Sequence, residues 1–247
     1  MKIKFFLCQI FPAAAVTPLT HARCFALATP RLHSGAWFFF SIALVSLLFV
    51  SCKPQISVKA STGDEATILF STGFSAATAK TLQAATGADP NAPLFNKDDV
   101  LLVLKSAGAV NTSATIPSPT EIATTGTLPN LSNHPLATTQ LITKSQNSLT
   151  LTLGPKQITA FYSLLSDDAK SYLDLMMVPA LIGEKMTIAE YRDLLASMYG
   201  PSFADEIVNG KLTIALSSPN AKKSIKETVS LGELLCTTEE KSWFVKF

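Results

Sequence analysis

The feature that most constrains this chain is an uncharged run of 17 residues, Ala36–Cys52. It reads Ala-Trp-Phe-Phe-Phe-Ser-Ile-Ala-Leu-Val-Ser-Leu-Leu-Phe-Val-Ser-Cys, with Arg31 and His33 before it and Lys53-Pro54 after it. A membrane-crossing helix needs about 20 apolar residues for roughly 30 Å of hydrocarbon, so this run is slightly short. A basic flank, an apolar stretch and a small residue ahead of the cut are the marks of an export signal. An uncleaved signal anchor is the alternative. Either way the run divides the chain, and the residues after it must build their own core.

The division accounts for the bulk composition. The chain of 247 residues is 15% charged and 47% hydrophobic, with a mean hydropathy of +0.30. Soluble domains average near 25% charged. Residues 1–51 contain four of the 20 Lys and Arg (Lys2, Lys4, Arg23, Arg31) and none of the 18 Asp and Glu. The remainder therefore carries 16 basic against 18 acidic residues, and the formal +2 of the whole chain comes from the leader. A slightly acidic domain presents no basic surface, so nucleic acid is not an expected partner.

The residues Leu48-Phe49-Val50-Ser51-Cys52 resemble the lipobox of bacterial lipoproteins, most like the looser form found in spirochaetes. Phe49 departs from the usual small or aliphatic pattern. The resemblance covers the leader, and the stretch from Leu149 is only faintly similar to spirochaetal lipoproteins. It implies cleavage between Ser51 and Cys52, lipid on Cys52, and a cell-envelope location facing the periplasm or the outer surface. A single acyl chain holds a protein on a membrane only marginally, so multiple acylation of Cys52 is implied. Residues 1–51 then form the signal peptide. Its first ~30 residues are expected to precede the true start near Arg31, because Met1-Lys2-Ile3-Lys4 and Phe5–Val16 look like a second, weaker signal.

Beyond Cys52 lie 52–60, a tether running into a first strand, and 56–247, one domain of ordinary size. Cys8 and Cys24 belong to the leader, which leaves Cys236 as the one further thiol. A disulfide framework within one mature chain is thereby excluded. Cys236 follows Leu234-Leu235, as a buried thiol would.

Period-two alternation on either side of Ser61-Thr62-Gly63-Asp64 predicts a hairpin of 56–60 with 66–70. Ser75–Ala85 reads as a helix stopped by Gly87. Asn96 is an N-cap, and Asp98-Asp99 suit the positive end of the helix it opens. Residues 106–148 are rich in Ser, Thr, Asn and Pro and almost uncharged. They read as an irregular excursion or a pair of edge strands. Ser148–Leu153 is a strand, 156–208 is helical, and Thr187-Ile188-Ala189-Glu190 spells a capping box. Lys211–Leu216, part of 226–236 and 242–247 return to strand. Strands and helices are segregated rather than alternating. The expected class is therefore α+β: one domain with an antiparallel or mixed sheet and a helix cluster on one face. A short echo between 149–156 and 212–219 is explained by shared strand-and-turn composition.

The residues available for chemistry are few. After the leader there is one histidine, His134, in Asn133-His134-Pro135, and one arginine, Arg192. A lone loop histidine reads as solvated, and it has no neighbours suited to a Ser-His-Asp site or a zinc site. Arg192 reads as an ion pair with neighbouring acids. Five acidic doublets (Asp64-Glu65, Asp98-Asp99, Asp167-Asp168, Asp205-Glu206, Glu239-Glu240) fall at helix starts or turns. They carry the alternative reading of a carboxylate-dependent hydrolase. No calcium-loop, P-loop or dinucleotide spacing occurs. No catalytic residue, metal ligand or cofactor is therefore nominated.

What remains is apolar. Phe161, Tyr172, Met176, Tyr191 and Met198 recur through the 158–198 helices. Such side chains line adaptable grooves as well as cores. The expected role is non-enzymatic binding or structure, with the membrane reached through the N-terminal lipid and an apolar ligand or envelope protein as partner. A membrane-inserting amphipathic helix is a third possibility.

Overall fold

The computed structural model describes residues 53–167, 170, 174, 178–182 and 185–247. These belong to one compact unit. Cys52 and Ser51 lie outside the described residues, as do Tyr172 and Met176.

The first hairpin is β1 (Gln55–Ala60) with β2 (Ala66–Gly73), paired antiparallel from Gln55↔Ser71 to Ala60↔Ala66. Helix α1 (Ala76–Thr86) starts at Ser75, whose hydroxyl accepts from Thr78 N–H, and ends at Gly87 with φ +67. Only a residue without a Cβ takes that φ cheaply. Helix α2 (Lys97–Ser106) is capped by Asn96, with Asp98 and Asp99 in its first turn. The side-chain cap and the two acids satisfy and complement the free N–H groups of that helix end.

The stretch expected as an irregular excursion or a pair of edge strands supplies a pair of strands to the main sheet. β3 (Val110–Ser118) and β4 (Glu121–Leu128) form a hairpin, and β4 also pairs with β2 along its whole length. Of these two strands, only β3 stands at an edge. β4 alternates Ile122, Thr124, Gly126, Leu128 inward against Ala123, Thr125, Thr127 outward. It is a half-buried strand written in small residues, so low charge and many Ser and Thr concealed a regular period of two.

A short 3₁₀ turn, Leu131–Asn133, leads through α3 (Pro135–Thr138) to β5 (Ile142–Lys144) and β6 (Ser148–Leu153). Next come α4 (Pro155–Leu164), α5 (Pro179–Ile182), α6 (Ile188–Tyr199) and α7 (Pro201–Val208). The chain closes with β7 (Lys211–Ser217), β8 (Ser224–Ser230), α8 (Leu231–Leu235) and β9 (Lys241–Lys246). The capping box at Thr187 is complete, with both reciprocal bonds to Glu190 formed.

The strands make two sheets. The larger runs β3-β4-β2-β1-β7-β8 and the smaller β5-β6-β9. All neighbours are antiparallel except β1 and β7, which pair parallel from Gln55↔Thr213 to Lys59↔Ser217. The class is α+β, with a mixed sheet. The echoing segments 149–156 and 212–219 start strands of different sheets.

Two cores hold the fold. The main one joins Val58, Leu128, Ile214 and Leu216 of the large sheet to Leu149, Leu151, Trp243 and Val245 of the small one. Full burial of each aliphatic side chain contributes about 1.5–3 kcal/mol. The second gathers Tyr191, Leu195, Phe203, Ile207 and Val208 of α6 and α7, with Phe74 and Leu82 packed against them.

Candidate functional site

The outward positions of the large sheet form one accessible face. Cross-strand register places Thr115, Ala123, Ser71, Gln55, Thr213 and Thr228 in one row. A second row holds Ser113, Thr125, Leu69, Ser57, Ala215 and Lys226. A third holds Thr127, Thr67, Lys59, Ser217 and Ser224. None of these residues is buried, even on the central strands β1 and β2. The inward neighbours Val58, Ala60, Ile122, Leu128, Ile214 and Leu216 all are.

The face is therefore a broad field of hydroxyls on a pleated surface. Within these rows the charges are Lys59 and Lys226, with Lys211 and Glu121 continuing the outward alternation at one end. The exposed large apolar side chains are Leu69, 47% accessible, and Val110, 44% accessible and paired with Thr127. Thr213 and Thr228 hydroxyls meet across β7 and β8 at 3.4 Å. Each hydroxyl can both donate and accept, so the face suits extended polar contact more than enclosure of a small molecule.

A shallow cleft of about 250 Å³ opens at one end of this face. Lys53, Ser71, Phe74, Pro117, Glu121 and Ile122 are among its walls. It lies where β1 begins and β2 ends.

Of the nominated groove residues, the three that are described, Phe161, Tyr191 and Met198, do not converge. Tyr191 is fully buried in the second core, and its burial drives the phenol well above its ordinary range. Phe161 packs against the main core instead. Met198 is 48% exposed on α6. Helical spacing set all three on stripes, but the stripes face different neighbours. The aromatic cluster the structure does form joins Phe74 to Phe95 and Phe203, with centroids 6.0 and 5.8 Å apart, and Tyr199 to Phe203 at 5.0 Å. Phe74, Phe95 and the neighbouring Tyr199 and Phe203 come from segments far apart in sequence, so no local pattern could have grouped the whole cluster.

His134 is a correction. It is 4% exposed rather than solvated. Its Nδ1 accepts from Leu136 N–H at 3.2 Å, capping α3, and its Nε2 lies 3.2 Å from Gly108 O. With Nδ1 accepting, Nε2 carries the proton donated to that carbonyl. The ring is a structural cap. A Ser/Thr/Asn/Asp search for N-caps passes over it.

The acidic doublets are spread over separate elements, and several have structural partners. Asp64 accepts from Ser132 N–H and hydroxyl. Glu206, 7% exposed, accepts from Ser75 N–H at 2.6 Å and Ser75 hydroxyl at 2.8 Å. Asp205 binds Arg192 Nε at 2.6 Å, which raises the guanidinium further, and Asp193 holds Nη1 at 3.1 Å. Glu240 accepts from Nε2 of the fully buried Gln157 at 3.0 Å. Among the described residues no group of three or more His, Cys, Asp or Glu is placed to hold a metal ion. Cys236 is a half-buried free thiol, and burial pushes it up from its usual range.

Comparisons of the chain with family models, with curated proteins and with solved structures find no match.

Proposed function

We propose that this chain is a lipid-anchored cell-envelope protein with a binding or structural role, held on the membrane through Cys52. The observation that carries the reading is the junction between signal and fold. The lipobox-like Leu48–Cys52 ends only two residues before β1 begins at Gln55. The apolar run thus stops where the globular pattern starts, which fits a leader cut ahead of Cys52. The hydroxyl-rich open face of the large sheet is the surface offered to an envelope partner. Its breadth and its even supply of donors and acceptors favour a large polar partner over a small enclosed substrate.

The test is Cys52→Ser in the full chain, expressed in a bacterium that processes lipoproteins. Wild-type protein is expected in the detergent phase on phase partitioning, and the variant in the aqueous phase. Unchanged partitioning overturns the anchor.

A further inference from the structure

We infer that the end of the large sheet where β1 begins rests against the lipid headgroups, so that the domain sits directly on the bilayer without a stalk. The inference rests on the proposed lipidation of Cys52 and adds the orientation.

The argument is one of chain length. Pro54 is buried, and its carbonyl accepts from Thr213 N–H at 2.9 Å. It is therefore already part of the fold. Lys53 is the single residue between Pro54 and the proposed lipid site, and it is exposed. Successive Cα atoms across trans peptides are about 3.8 Å apart, so Cys52 Cα lies within about 7.6 Å of Pro54 Cα. Lys53 is also stiffened, because a residue before proline is pushed to extended backbone. No slack remains to lift the domain away or to let it tumble.

β1 is not an edge strand. It lies between β2 and β7 inside the sheet. The attachment point is thus held by ladders on both sides, and anchoring cannot be relieved by peeling off one strand. Register then decides which residues share this end. Gly73 pairs with Glu121, Ser118 pairs with Glu121 across the β3–β4 turn, and β7 starts at Lys211. The turn holding Thr120 belongs to the membrane end, together with the cleft beside Lys53. The β1–β2 turn and the β7–β8 turn, which holds Lys222, lie at the opposite end. Along β1 alone the separation is about 20 Å at 3.4 Å per residue.

The test uses the lipidated full chain with Cys236→Ser, carrying either Thr120→Cys or Lys222→Cys labelled with a fluorophore. The protein is reconstituted into phosphatidylethanolamine–phosphatidylglycerol vesicles containing a headgroup nitroxide. Several-fold stronger quenching at position 120 than at 222 is expected. Equal quenching, or stronger quenching at 222, in vesicle-bound protein overturns the orientation while leaving the anchor standing. A Cys52→Ser protein that binds the vesicles as firmly as the lipidated one overturns the anchor and the orientation together.

Discussion

The ring of His134 occupies the space that a side chain at Gly108 would need. A Cβ built on Gly108 would stand 2.8 Å from His134 Nε2, and the same nitrogen lies 3.2 Å from Gly108 O. Gly108 also has φ +88. The turn from α2 into β3 and the cap of α3 are therefore one interlocked unit. Gly108→Ala is expected to destabilise the domain by about 2 kcal/mol or more, through strain at positive φ and loss of the histidine contact. Chemical denaturation followed by the fluorescence of Trp243, which is 5% exposed, reads the change.

Ser75 and Glu206 tie α1 to α7 across the second core. Glu206→Ala leaves a half-buried Ser75 N–H without its acceptor and is expected to cost about 1–3 kcal/mol. Ser75→Ala removes the hydroxyl of the cap. The two losses should fall short of additive by about 0.5–3 kcal/mol in a double-mutant cycle. Additive losses would show that the pair does not act as one contact.

Glu190 gives a pH signature. Hydrogen bonds from Thr187 N–H and hydroxyl hold its carboxyl below the ordinary range. The folded state therefore binds this proton less readily than the unfolded state. The contribution is fully present above the unfolded value and is lost as pH falls through the lower folded value. Stability measured down the acid range should show this loss in the wild type. Glu190→Gln should flatten that part of the profile.

The two faces of β7 and β8 should respond oppositely to truncation. Ile214 is fully buried, and Ile214→Ala is expected to cost about 2–5 kcal/mol. Thr228, exposed on the open face, should tolerate alanine within about 0.5 kcal/mol. Denaturant midpoints for the two variants make the comparison. A large loss from Thr228→Ala would mean that the outward face is structural rather than presented.

Local signals explain which parts of this fold are legible from sequence. Ser-Leu-Thr-Leu-Thr-Leu at 148–153, the Thr187–Glu190 box and the Asn96 cap are each complete within a few residues, and each forms as read. The 106–148 stretch is opaque because β4 fills its inward positions with Thr124 and Gly126 as well as Ile122 and Leu128, which dilutes the hydrophobic period. The division into two sheets is equally hidden. It depends on β6 choosing β9 and β7 choosing β1, which are long-range pairings. His134 and Gly108 show the same limit at the scale of one contact, since 26 positions separate them. Of the nominated groove, helical spacing identified apolar stripes, but their facing partners belong to tertiary structure.

The parallel pairing of β1 with β7 also sets the order in which the molecule can be completed. Gln55 has to await Thr213, and until then the β1–β2 hairpin presents a free strand edge bearing Ile56 and Val58. An exposed edge with apolar side chains invites pairing with other chains, and closing so long a loop is slow. If the leader exports the chain amino end first, as proposed, β1 would be among the earliest segments across. It would nevertheless be among the last to gain both neighbours. On that proposal, slowed export of the final 40 or so residues should raise aggregation more than comparable delay earlier in the chain.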